Sequence, residues 1–321
     1  MAYQPTGNNT STGTISHLAT VYYKKKGLDT LKKRFRFMGV SEPDSLPLRS
    51  GLTVQWFRYT LPTSNTTPSA EGTVGASLVH TTSTISATVS QYSDFYSLST
   101  LIQDSAIDPI VESTVEMASY RAALSVDTII RTEFDSTSTP ELSTLGAAIS
   151  AADFRRTKAL LNGIDLHEGP RGQSDFVAII HPYALYDVMS DNSAGGFIDV
   201  NKYSRPEVLI NQGEEGMIAG TRLVSTTNVK TSGTAPNVLY YTYVVGRGAV
   251  GVVDLAGSGP SDISDPDKQA FKTNVVKGGP NTADPEGNIG SFVSYRFVMV
   301  AKILDSTNHR YRMIKADASI V

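Results

Sequence analysis

The chain contains no cysteine, which excludes a disulfide framework, a thiolate metal site and a cysteine nucleophile. Charge is also scarce. Asp, Glu, Lys and Arg make up 18% of the 321 residues, below the roughly 25% typical of soluble globular chains, so much of the polar surface must be Ser, Thr, Asn and Gly. Neutral polar groups cost less to desolvate than ions, and this composition suits a subunit that covers much of its surface with neighbours. A net charge of −3 provides no global attraction for nucleic acid. No apolar run approaches the roughly 18 residues of a membrane span, and the first thirty residues lack a signal-like apolar stretch. Neither membrane association nor conventional secretion is expected.

Catalytic signatures are equally sparse. The histidines, His17, His80, His167, His181 and His309, are scattered, with no H-E-x-x-H or i, i+4 ligand pair, so no metal site is expected. His181, before Pro182 at the end of the apolar run FVAII, reads as a loop residue. There is no G-x-S-x-G elbow and no P-loop. Gly246–Gly251, GRGAVG, matches G-x-G-x-x-G after the strand-like VLYYTYVV, and Asp265 lies about twenty residues on, as a dinucleotide site would have it. That chemistry needs a helix to begin at the glycines, whereas the chain continues as VGVVDL; a turn or bulge between strands is the better reading. Asp262, Asp265 and Asp267 depart from the spacing of a calcium loop and lack its closing Glu, which leaves a solvated acidic loop. Glu214 and Glu215 suit the first turn of a short helix better than an acid/base dyad. No catalytic, cofactor or metal site is assigned, and the chain is read as non-enzymatic.

Residues 1–20, rich in Thr, Ser, Asn and Gly, read as an extended arm. One basic patch follows, Lys24, Lys25, Lys26, Lys32, Lys33, Arg34 and Arg36, interleaved with Leu28, Leu31, Phe35 and Phe37. It suits a solvated helix face or contact with DNA or acidic neighbours. Two strand-like runs, 52–61 and 82–92, flank a Pro-, Gly- and Ser-rich stretch and predict a long projecting hairpin. Its root carries Trp56, Phe57 and Tyr59, candidate inter-subunit contacts because a lone monomer gains little by ordering them. Apolar residues at three- and four-residue spacing predict a helix over 104–134, capped by Asp104 or Ser105 and tolerating Pro109 only in its first turn. Residues 147–255 alternate helix and strand. The Gly-, Pro- and Asp-rich stretch 256–290 reads as an irregular surface excursion. The run FVSYRFVMVAKIL, 292–304, predicts a strand buried on both faces, followed by a turn at 305–308 and a short strand at 310–315.

This order of elements resembles an HK97-like phage coat subunit. The phrases ISATVSQYSDFYSLSTLIQDSAIDPIVE, SDFVAIIHPYALYDV, EEGMIAGTRLVST and YYTYVVGRGAVGVVDL are similar to the coat-protein family of N-four-like podophages. The resemblance implies an α+β, HK97-like capsid fold: an N-terminal arm at 1–48, an extended loop at 49–96, a peripheral domain with a long spine helix at 97–148 and 285–321, and an α/β axial domain at 149–284. It implies a major capsid protein that assembles as hexamers and pentamers in the host cytoplasm into the head of a tailed phage, around double-stranded DNA contacted non-specifically. A portal, possible decoration proteins and, since no long helical segment precedes the arm, a separate scaffolding protein are the implied partners. An encapsulin-like nanocompartment shell is the alternative, and a nucleotide-dependent enzyme built on GRGAVG a remote one. Some relatives weld their shells through a lysine in the extended loop, but no lysine occurs between Lys33 and Lys158. Mature shells boiled in denaturant should therefore run on a gel as a single band of subunit mass; ladders of covalent multimers would overturn this.

Overall fold

The structure is a computed structural model and describes residues 35–47, 49–60, 64, 66–72, 74–75, 77–105, 109–137, 141–191, 214–234, 238–255, 272–276 and 290–318. The chain enters through a short helix α1 (Phe37–Val40) and strand β1 (Glu42–Leu46). The β-branched and aromatic run of β2 (Thr53–Thr60) leads to β3 (Thr81–Thr88), β4 (Ser90–Ser99), α2 (Thr100–Ser105) and the long helix α3 (Ile110–Phe134). Then come β5 (Glu141–Ala148), α4 (Ala151–Asn162), β6 (Phe176–Ile180), α5 (Pro182–Ser190), β7 (Glu214–Ile218), β8 (Thr221–Ser225), β9 (Thr231–Ser232) and β10 (Leu239–Val245). The remaining strands are β11 (Val250–Leu255), β12 (Lys272–Val276), β13 (Gly290–Ile303) and β14 (Tyr311–Asp317). The class is α+β, with no described helix long and apolar enough to cross a membrane.

The predicted helix over 104–134 divides. Pro109 stands just before α3 rather than inside its first turn, and residues 100–105 form the separate α2. The cause lies in proline itself, which lacks an N–H and pushes the preceding residue out of helical geometry. Over the remaining 25 residues the periodicity holds: Val115, Ala118, Ala122, Val126 and Ile130 are buried. Buried Thr114 and Ser119 donate their hydroxyls to the carbonyls of Ile110 (2.7 Å) and Val115 (2.8 Å), so polar side chains are satisfied inside the helix without charge.

Two sheets flank this helix. One has the order β1-β11-β13-β12, with β4 also on β13; the other runs β5-β14-β10-β6-β8-β7, with β9 on β10. These pairings cross the expected domain intervals. β5 and β14 join the sheet built by β6, β7, β8 and β10, while β11 and β12 join β4 and β13, and β1 adds a parallel strand to β11. One continuous core runs from α3 through both sheets.

Three expectations are corrected. β13 is not buried on both faces: Val293, Tyr295, Phe297, Met299, Ala301 and Ile303 are buried, but Arg296 is exposed and Phe292 and Ser294 are half-buried. An antiparallel strand with one face on the core alternates in this way. Glu214 and Glu215 begin strand β7, not a helix, because Ala219 and Gly220 take positive φ (52° and 73°) and turn the chain back onto β8 as a hairpin. The stretch 256–290 contains β12, antiparallel to β13, and ends on Gly290, the first residue of β13; its other residues lie outside those described, Asp262, Asp265 and Asp267 among them.

The C-terminal end of α3 joins the layers. Phe37, Phe134, Tyr243 and Tyr311 form an aromatic cluster with ring centroids 4.9 to 6.1 Å apart. Tyr311 Oη donates to the Phe134 carbonyl (3.0 Å) and Tyr243 Oη to Asp135 Oδ1 (2.7 Å). Burial pushes both phenols well above the ordinary tyrosine value, so they stay donors. One turn or two earlier, Asp127 is 3% exposed and accepts the backbone N–H groups of Arg36 (2.8 Å) and Met38 (3.3 Å). These are the orphan donors at the start of α1, capped here from another helix.

Burial raises the Asp127 carboxyl to about 6, against which the α1 amides and Arg36 pull downward. A carboxyl whose folded pKa is raised contributes stability that is fully present below its unfolded value of 3.8 and is lost as pH rises through about 6. Asp127→Ala removes both the acceptor and this linkage. Thermal unfolding of the full chain should show a loss of about 2 kcal/mol at pH 8, with a larger deficit relative to wild type at pH 5. A deficit that shrinks on acidification would overturn the assignment.

Candidate functional site

The feature that departs from the packed body is the hairpin β2–β3, which among the described residues forms a two-stranded sheet of its own. Isolated two-stranded hairpins are marginally stable, so its attachment to the body decides its orientation. Strand alternation sorts its side chains. Val54, Trp56 and Arg58 are half-buried toward the body, while Phe57 and Tyr59 point away, 64% and 69% exposed. The three aromatic contacts expected together therefore separate: Trp56 is part of the root, and Phe57 and Tyr59 remain on offer.

The root is a second, small apolar cluster of Val89, Val253 and Val298, against which Leu46, Val54, Trp56, Leu255 and Val300 pack. Val298, on the outward face of β13, is buried because it lies beneath the hairpin. Gly251 makes room for the indole. A Cβ there would stand 3.1 Å from Trp56 Cζ2 and 2.8 Å from Leu304 Cδ2, closer than a packed side chain tolerates. A second attachment is ionic. Arg58 pairs with Asp305, which is 3% exposed and is itself held by the N–H groups of Thr307 (3.1 Å) and Asn308 (2.9 Å) in the turn before β14.

GRGAVG is the turn by which the chain leaves the seven-stranded sheet and enters the five-stranded one. Each glycine answers a local demand. At Gly246 a Cβ would meet Leu166 Cδ2 at 2.4 Å, Gly248 has φ +66°, and Gly251 seats Trp56. β11 follows at once, so no helix begins at these glycines, and the segment is a turn between strands. His181 caps α5, with Nδ1 accepting the Tyr183 N–H (3.2 Å) and its ring stacked 4.3 Å from Tyr240; burial holds it below the ordinary histidine value. Among the described residues no group of His, Asp or Glu could hold a metal.

Of the basic patch, Lys24, Lys25, Lys26, Lys32, Lys33 and Arg34 lie outside the described residues. Arg36 lies at α1, its backbone on Asp127 and its side chain lining an open cavity of about 460 Å³ with Tyr120, Leu124 and the 225–228 loop. Sequence reading missed Gly251, Arg58, Asp305 and Asp127. A usable signal existed for Asp305, as an Asp opening a turn, and for Asp127, an acid on the core side of the helical stripe.

No protein-family model and no curated protein matches the sequence. Solved structures do. The capsid of Ralstonia phage GP4 superposes with a TM-score of 0.65 over 90% of each chain, at 12% identity. The fold is that of phage capsid subunits. The acidic stable capsid of Helicobacter pylori bacteriophage KHP30 gives 0.61 at 9% identity, over 88% of this chain and 91% of that one. A virus-like particle from Pyrococcus furiosus gives 0.51 at 12% identity, over 91% and 97%. The HK97-like architecture expected from sequence agrees with these neighbours.

The socket makes a prediction. Gly251→Val should expel the indole and Trp56→Ala should empty its seat. Both should speed amide exchange in 53–60 and 81–88 by about tenfold or more, with exchange in Ile110–Phe134 unchanged. Equal exchange in wild type and variants would show that the hairpin is held elsewhere.

Proposed function

We propose that the chain is the major capsid protein of a tailed bacteriophage, a structural subunit that assembles as hexamers and pentamers into the icosahedral head around double-stranded DNA. One observation carries this reading: on a fold shared over nearly its whole length with phage capsids, a hairpin anchored at its root presents Phe57 and Tyr59 away from its own body. Large aromatic side chains at a projecting edge are what a neighbouring subunit would cover, and such residues dominate interface energetics. Of the arm expected at 1–48 and the loop expected at 49–96, the parts that reach across neighbours would be the residues ahead of Phe37 and the β2–β3 hairpin, since α1, β1 and β4 pack on the body. The spine helix with β4 and β13 forms the peripheral part, and residues within 149–284 form the axial part that closes rings about symmetry axes.

On this reading the basic residues ahead of α1 make non-specific contact with packaged DNA, and a scaffolding protein, a portal and possible decoration proteins are the partners. Assembly takes place in the host cytoplasm, the product residing in the virion. The Pyrococcus furiosus virus-like particle supports a second reading, a nanocompartment shell. Particles purified from cells decide between them, because a phage head carries DNA and a nanocompartment an enclosed enzyme.

Phe57→Ser with Tyr59→Ser tests the assembly role. Both side chains are exposed, so the subunit should unfold within about 0.5 kcal/mol of wild type. When coexpressed with the phage's scaffolding protein, the wild type should give closed shells by electron microscopy and the double variant free subunits. Shells of equal yield from the variant would remove the hairpin from assembly, and a wild type that never closes would overturn the capsid reading.

A further inference from the structure

A cavity of about 460 Å³ opens beside α1, between α3, the first residue of α5 and the loop that follows β8. That volume suits a few side chains of a ligand. Several polar groups around it are committed to the fold. Asn228 bonds Thr128 (3.2 Å) and Arg131 (3.0 Å), and Thr226 accepts the Asn228 N–H (3.2 Å). Asp127 turns its oxygens to the N–H groups of Arg36 and Met38. Arg36 is the exception. It lines the cavity and is half-buried, yet among the described residues its guanidinium makes no hydrogen bond and no ion pair; only its backbone is held. Asp127 acts on that charge through space alone. A cation that has lost part of its water without gaining a partner is stabilised by a carboxylate that reaches it.

The rim is apolar and aromatic. Leu124, on the α3 wall, is 41% exposed. Pro182, on the α5 wall, begins an outward face that continues with Tyr183 and Tyr186, 44% and 53% exposed. The Tyr183 ring already packs edge-on against His181 (4.8 Å) and Tyr240 (5.9 Å), so its order is in place before anything binds. Arginine and tyrosine around a concavity are the residues that dominate protein-binding surfaces. Nucleic acid fits this site poorly, because a phosphate backbone binds through several cations at once. A single carboxylate next to an apolar side chain uses both the guanidinium and the walls.

We propose that this cavity and the outward face of α5 form a docking site for an acidic peptide of a partner protein. An Asp or Glu of the peptide pairs with Arg36, and a large apolar neighbour packs on Leu124, Pro182 and the two tyrosines. The inference does not rest on the capsid reading, since the site lies within one subunit.

The test follows the backbone amide resonances of the isotope-labelled full chain during titration with the peptide acetyl-Gly-Leu-Glu-Leu-Gly-amide. Saturable shifts at Arg36, Thr227 and Tyr183 are expected, and replacing the peptide's Glu by Gln should weaken binding about tenfold. Arg36→Gln keeps the backbone N–H that Asp127 holds, so α1 stays in place; it should make the Glu and Gln peptides bind alike. Tyr186→Ser, at an exposed position, should weaken the Glu peptide about fivefold. The proposal is overturned by Glu and Gln peptides that bind the wild type equally, by shifts confined to other parts of the chain, or by none. Inorganic phosphate that moves the same amides as tightly as the Glu peptide would make this a general anion site instead. Shifts at these amides that follow protein concentration without peptide would assign the cavity to a second copy of the chain. Either result also overturns it.

Discussion

Three consecutive residues at the end of the spine helix hold the two sheets in register with each other. Glu133 accepts the N–H of Ile303 (3.2 Å) and pairs with Lys302 (3.0 Å), which ties the helix to β13 in the five-stranded sheet. Phe134 enters the aromatic cluster with Tyr243 and Tyr311, and Asp135 accepts the Tyr243 hydroxyl, which ties the same turn to the seven-stranded sheet. A helix of 25 residues is a stiff rod of about 37 Å. Fixing one end of it to both layers removes the freedom they would otherwise have about their connecting strands. The capsid role proposed above would call on that stiffness, because a small rotation between layers would be multiplied at every copy of a symmetric assembly.

The hairpin is built on the opposite principle. It shares no ladder with the body among the described strands and is held by the side chains of its root, Val54 and Trp56 in a small apolar cluster and Arg58 in an ion pair. A ladder would have committed its angle through many backbone hydrogen bonds at once; here side-chain packing at the root, with the indole seated at Gly251, and the ion pair to Asp305 commit it. The scarcity of charge gives Asp305 its weight. Surface ion pairs contribute little, but a carboxylate 3% exposed has lost most of its water and needs the donors of Arg58 and of its own turn. Elsewhere the chain satisfies polar groups with hydroxyls, as Thr114 and Ser119 show inside the helix.

What the sequence made legible was whatever depends on neighbours in the chain. The stripe of α3, the alternation in β2, the turn at GRGAVG and the turn at Asp305 follow from spacing and from the residues beside them. Proline 109 was legible too, although its consequence was placed a few residues early. What stayed hidden depends on distant partners. Asp127 meets amides 89 and 91 residues away, and Arg58 meets a carboxylate 247 residues away. The single-faced burial of β13 was hidden for the same reason: an apolar run does not say which of its faces a hairpin root will cover, and only Val298 and Val300 lie there.

Neighbours at 9–12% identity superpose over about nine-tenths of the chain, which shows that most positions serve the fold through pattern. Any apolar residue of suitable size satisfies a stripe or an alternation. The demands that pattern cannot meet are few and local: no side chain under Leu166 at Gly246 or against the indole at Gly251, and an acceptor inside the helix at Asp127. Each sits where two independently formed units touch. In this chain the steric and polar demands that a particular residue must meet therefore fall at contacts between elements, the places that set the angles between them.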